Sequence, residues 1–164
     1  MRILKWMLLA AAIFLLQTQF SFFNGSLNLT VTLVYLFGLT TLQNISARDY
    51  SGSKADLECV AFGAAVGLAE DILSGSIIGP GILGKGLVGF LTPVIFTSVI
   101  FRWTPLWGGI IIVIFTVLDG IIMCSSRALF TGISLSSSTL VQVLVIQSAM
   151  NIPFGVILKP EYKG

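Results

Sequence analysis

Apolar residues in this chain fall into six runs, separated by short stretches that carry its charges, prolines and turn-forming glycines. A helix crossing a hydrocarbon core needs about 20 mostly apolar residues, and the runs have that length. They predict helices over residues 3–22, 27–45, 59–78, 84–101, 106–124 and 139–158. The breaks are equally legible. Residues 46–58 hold Gly52, Arg48, Asp49, Lys54, Asp56 and Glu58 and predict a loop in water. Gly79-Pro80-Gly81 and Arg102-Trp103-Thr104-Pro105 punctuate the middle of the chain, residues 125–138 form the last connection, and Pro153 predicts a kink in the sixth helix. The start, Met1-Arg2-Ile3-Leu4-Lys5 before an apolar stretch, has the outline of a signal peptide. No pair of small residues stands at a peptidase spacing in Gln17-Thr18-Gln19-Phe20-Ser21-Phe22-Phe23, so an uncleaved first span is expected.

Composition turns this pattern into a class. Of 164 residues, 55% are hydrophobic and 10% charged, and the mean hydropathy is +0.99. Soluble domains carry roughly 25% charged residues, and a domain this small leaves about a third of its unfolded surface in water. An all-α, polytopic membrane protein is therefore expected, a single domain over residues 1–164 built as a bundle of six transmembrane helices. No room remains for a soluble catalytic domain, and neither an enzyme nor a nucleic-acid binder is expected. The net charge of +2 implies no polyanionic ligand, and the absence of histidine removes imidazole chemistry and most zinc sites. No cofactor or metal is expected. Cys59 and Cys124 fall on opposite membrane faces of this topology, which predicts thiols rather than a disulfide.

Charge also predicts orientation. Arg2, Lys5, Arg48, Lys54, Arg102, Lys159 and Lys163 share one side of the six spans, against Lys85 and Arg127 on the other. The excess of basic residues marks the cytoplasmic side, so both termini are expected in the cytoplasm, with Trp6, Trp103 and Trp107 near span ends.

Candidate chemistry concentrates in the third run. Gly63, Gly67, Asp71, Gly75 and Gly79 recur every four residues and so share one drifting face of a helix, a groove with one carboxyl group in it. Such a face serves as a packing seam or as a partner or ligand site. Glu70 and Asp71 in the third run and Asp119 in the fifth each cost at least about 2.5 kcal/mol when ionised near the bilayer centre, so each should face the bundle or a wet cavity. Adjacent helical residues point about 100° apart, which puts Asp71 on the glycine face and Glu70 off it. A proton relay is one version of the functional reading; structural or interaction roles are preferred, since no histidine or buried arginine accompanies the acids. Lys85 is expected to snorkel or to pair with an acid. Gly79 to Gly86 nearly matches a P-loop, but Gly86 stands where a hydroxyl must hold magnesium and no strand precedes it, so a tight turn is expected there. In the sixth run Gln147 and Asn151, four residues apart, predict interhelical hydrogen bonds or a polar ligand pocket.

The string Gly67-Leu68-Ala69-Glu70-Asp71-Ile72-Leu73-Ser74-Gly75-Ser76-Ile77-Ile78-Gly79, followed by the glycine-rich stretch from Gly84 to Phe90, resembles MreD, the rod shape-determining membrane proteins of bacteria. Chain length, span number and the orientation of the termini are similar as well. Glu70 departs from the family pattern, which has an apolar residue before the aspartate. The resemblance implies a non-enzymatic subunit of the cell-elongation complex in the bacterial inner membrane. Its implied partners are an MreC-like membrane-anchored coiled-coil protein and, in the wider complex, MreB, RodZ, RodA and a class B penicillin-binding transpeptidase. MreD in turn looks like the substrate-binding S-components of energy-coupling-factor transporters, six-helix proteins of similar size. Binding of a small molecule for transport is therefore the alternative expectation. It is the less favoured one, since the outer connections offer little polar beyond Lys85, Arg127 and the serines of 134–138.

Overall fold

In the computed structural model, which describes residues 2–20, 28–43, 52–75, 77–98, 103–132 and 136–159, nine-tenths of these residues are helical. The six helices are α1 (Arg2–Phe20), α2 (Leu29–Gln43), α3 (Gly52–Leu73), α4 (Pro80–Ser98), α5 (Pro105–Thr131) and α6 (Ser137–Ile157). Three of them, within α4, α5 and α6, are long and apolar enough to cross a membrane. The apolar parts of α1 and α2 are shorter, and α3 carries Lys54, Asp56, Glu58, Glu70 and Asp71 along its length.

Helix boundaries depart from the sequence pattern where polar residues are helical. α3 begins at Gly52, inside the expected loop, and ends at Leu73, short of the expected residue 78. α4 begins at Pro80 rather than 84, so all of the expected Gly79–Gly86 turn except Gly79 lies in its first two turns. α5 runs on to Thr131 through Ser125, Ser126 and Arg127, which hydropathy assigns to a connection. Local capping fixes these ends. The Thr104 hydroxyl accepts from the Trp107 N–H at 3.3 Å with Pro105 in the first turn, and Gly132, at φ 66°, closes α5 by donating to the Ala128 carbonyl. Ser136 caps α6 in the same way through the Thr139 N–H. Hydrophobicity marks where a helix meets lipid; capping decides where it stops. Residues 21–22, 27, 44–45, 76 and 99–101 of the expected spans, 46–51 of the expected loop, and Arg102 and residues 133–135 of the expected connections lie outside the described residues.

α2 is the centre of the assembly and touches all five other helices. Val31, Leu33, Val34 and Tyr35 on it are fully buried, and Tyr35 sets its ring against Phe96 of α4 and Phe115 of α5. Around it α3 packs along α4, and α5 along α6. α1 reaches the rest chiefly through α2, where Trp6 meets Phe37 edge-on and Phe37 stacks on Phe62 of α3 with ring centres 4.0 Å apart.

Alongside this apolar core the bundle buries polar groups and exposes large apolar ones. Among the buried side chains are Asn28, Thr30, Asp71, Lys85, Asp119 and Asn151, while Leu15, Leu83, Leu106 and Phe130 are exposed. In lipid, polar groups must find partners inside and apolar ones need none, so this distribution is compatible with a bilayer.

Candidate functional site: a buried charge network under a glycine-packed hairpin

The α3–α4 hairpin brings backbones into contact. A Cβ atom at Gly63 would overlap the Lys85 carbonyl, one at Gly67 the Gly81 carbonyl, and one at Gly89 the Cys59 carbonyl. Bare α-carbons are therefore required at these crossings, on both helices. The lower half of the glycine comb behaves as its spacing predicts. The upper half does not: Gly75 and Gly79 lie beyond the end of α3, with nothing within 4 Å of where a Cβ would stand, and they take φ of 61° and 135°. They turn the chain and do not pack a helix. A four-residue period means one face only while the helix continues, and this one ends at Leu73.

Asp71 closes the hairpin. Its carboxylate, fully buried, accepts from the N–H of Gly79 at 2.8 Å and from that of Gly81 at 3.0 and 3.1 Å. Gly79 itself accepts from Leu83 N–H, and Pro80, which has no N–H to satisfy, fills the first helical position of α4. Asp71 thus supplies the negative charge and hydrogen-bond acceptors that the α4 N-terminus needs. A carboxylate holds the place where a P-loop would hold phosphate, so the near match to that motif serves the fold.

One turn further into the bundle, three helices contribute charge. Lys85 of α4 is fully buried; its Nζ lies 2.8 Å from Glu70 Oε2 of α3, and 3.4 and 3.3 Å from the two carboxylate oxygens of Asp119 of α5. Asp119 is fully buried, and the Glu70 side chain keeps 15% exposure. The close approach that admits Asp119 comes from Gly84, where a Cβ would overlap Asp119 Oδ1. Lys85 therefore pairs with acids rather than snorkelling out. Without it Asp119 would be a buried charge with no cation.

Neutral side chains extend this cluster through α2 to α6. Asn28 donates from Nδ2 to Asp119 Oδ2 at 2.7 Å. The Thr30 hydroxyl stands 2.9 Å from Asn28 Oδ1 and 2.7 Å from Glu70 Oε2. Asn151 of α6, fully buried, donates to the Asn28 carbonyl at 3.1 Å and to Thr116 Oγ1 at 3.0 Å, and its own Oδ1 accepts from Thr32. Glu70, Asp119 and Asn151 are thus brought into one network. Gln147, half-buried, lies near the α5–α6 contact at Gly120 and outside that network. Farther along that contact Gly108 and Gly155 meet backbone to backbone.

Asn28, Thr30, Thr32 and Thr116 are the members that hydropathy reading passes over. Their signal was weak: a polar residue at the head of an apolar run reads as a cap, and threonine inside a span bonds to its own helix, as Thr116 does to the Ile112 carbonyl at 2.7 Å.

A separate groove opens between α1 and α3, with a volume of about 1240 Å³. Its walls are largely apolar, with Trp6, Phe14, Phe37 and Phe62 among them, and Ala61, Ala65 and Ala69 form a small-residue line along α3. No member of the charge network lines it. Among the described residues no group of histidine, cysteine or acidic side chains is placed to hold a metal ion. No family model, curated protein or solved structure matches the chain.

Proposed function

We propose that the chain is a non-enzymatic subunit of the bacterial cell-elongation complex, an MreD-like protein that crosses the inner membrane six times with both termini in the cytoplasm. In this reading it binds an MreC-like coiled-coil partner through helix contacts and helps couple MreB filaments to peptidoglycan synthesis. The observation that carries the preference is the division of labour between the two regions just described. Lys85, Glu70 and Asp119 are occupied with one another inside the bundle, while the open groove between α1 and α3 presents mainly alanines, aromatic rings and other apolar side chains, with Glu58 the one charged residue among the described residues of its lining. A subunit that works through helix packing needs such an apolar face, whereas a binder of a polar small molecule needs polar groups facing a cavity. The string that carries the resemblance to MreD also folds as a unit: Gly67 packs on Gly81, and Asp71 caps the helix that follows.

Cell-shape complementation together with detergent co-purification tests this reading. In rod-shaped cells depleted of their own MreD, the wild-type chain should restore rods and retain an MreC-like partner. Asp71→Asn, which keeps an oxygen for the Gly79 and Gly81 N–H groups, should do nearly as well. Asp71→Leu, which removes the cap, should impair both. Round cells and no partner with the wild-type chain would overturn the proposal. Vitamin binding that Asp71→Asn abolishes in a folded protein would favour the transporter alternative.

A further inference from the structure

We propose that the groove between α1 and α3 seats one transmembrane helix of a partner, with a lysine or arginine at the cytoplasmic end of that helix paired to Glu58. The proposal rests on the functional reading above and names the chemistry of the partner that its apolar face takes. Shape comes first. On α3 the lining runs from Glu58 to Leu73, a rise of about 22 Å, which is most of a hydrocarbon core of about 30 Å. Ala61, Ala65 and Ala69 stand four residues apart along that wall, and Ala10 and Ala11 of α1 line the same space. Small residues on both walls let a third backbone come close, and close packing is a main gain when helices associate in lipid.

Charge then selects the occupant. Glu58 is exposed on the groove wall, and among the described residues no cation pairs with it. Lys54 on the same helix and Lys5 on α1 are exposed and do not line the groove. The acids deeper in the bundle differ: Glu70 and Asp119 hold Lys85, and Asp71 caps α4. Glu58 lies at the end of the groove that the proposed topology puts toward the cytoplasm, and membrane helices carry their lysines and arginines on that flank. A partner helix therefore brings a cation to the unpaired carboxylate. A phospholipid tail would also fit apolar walls, but its headgroup would bring a phosphate to the same carboxylate, and a flexible chain gains nothing from a line of alanines.

Photocrosslinking and charge exchange in cells depleted of their own MreD test this, with the host's MreC as the probe. Retention of MreC by the wild-type chain reports on the functional reading; the position of the crosslink and the response to charge report on the groove. Benzoylphenylalanine in place of Met7, on the α1 wall, should crosslink to the membrane anchor of MreC, and in place of Val145, exposed on α6, it should not. Glu58→Lys should lower co-purified MreC by about tenfold, since an attraction becomes a repulsion. The Tm of the purified variant should stay at the wild-type value, because Glu58 is exposed and unpaired among the described residues. Exchanging the basic residues at the cytoplasmic end of the MreC anchor for glutamate should restore binding to Glu58→Lys. MreC held by the wild-type chain but crosslinked only from Val145, lipid as the sole adduct at Met7, or full MreC yield with Glu58→Lys would overturn the proposal and leave the functional reading standing. Loss of MreC from the wild-type chain would overturn both.

Discussion

The α3–α4 hairpin and the α1 side of the bundle are built from the same apolar alphabet and held in different ways. In the hairpin, glycines let carbonyl groups of one helix meet α-carbons of the other, Asp71 ties the turn, and Lys85 joins Glu70 to Asp119 beneath it. On the α1 side, Trp6, Phe37 and Phe62 make a ring cluster beside an open groove. Burying leucine against leucine gains little when the alternative is leucine against lipid. Helices in such a solvent are fixed by close backbone approach and by polar groups that have nowhere else to go, and that is what separates the two regions.

The largest break in this comparison should come from bulk in the hairpin. Gly67→Leu has no space, because the Gly81 backbone occupies the position of the new Cβ, so folded protein should be largely lost in a thermal-stability assay. Gly75→Leu meets nothing and should cost only about 1–2 kcal/mol for the left-handed backbone. Equal losses in the two variants would contradict the assignment of Gly67 to packing and Gly75 to the turn.

Removing charge should come next. Lys85→Met leaves the buried Asp119 and the half-buried Glu70 without their cation, a change expected to destabilise by about 3–5 kcal/mol. Adding Asp119→Asn to it should recover part of that loss, and a double-mutant cycle on steric-trap or thermal unfolding in detergent would measure the coupling. Additive losses would mean that the two side chains do not act as a pair.

The smallest effect on stability, and the one that sharpens the contrast, belongs to the groove. Ala65→Leu on the groove wall of α3 should change bundle stability by no more than about 0.5 kcal/mol while reducing co-purification of a helical partner. A variant that loses stability but keeps its partner would place Ala65 within the bundle's own packing.

How these regions came about divides between the chain and its fold. Apolar run lengths alone determined an all-helical protein with membrane-compatible helices, because a 20-residue apolar stretch has few other solutions. The same one-dimensional reading marked Gly63 and Gly67 as a seam and Glu70, Asp71 and Asp119 as too expensive to be idle. It put Gly75 and Gly79 on that seam as well, since a period of four cannot reveal that the helix ends at Leu73. Nor does spacing distinguish two adjacent acids by what they meet. Asp71 and Glu70 point about 100° apart, and only the packing of α4 sends one to backbone N–H groups and the other to an ammonium. The pairing of Lys85 with Asp119, 34 residues away, and the passage of the network through Asn28 to Asn151, 123 residues away, were decided by tertiary structure. Side-chain hydrogen bonds and ion pairs reach only about 3 Å, and along the chain nothing records which distant residues will come within that reach.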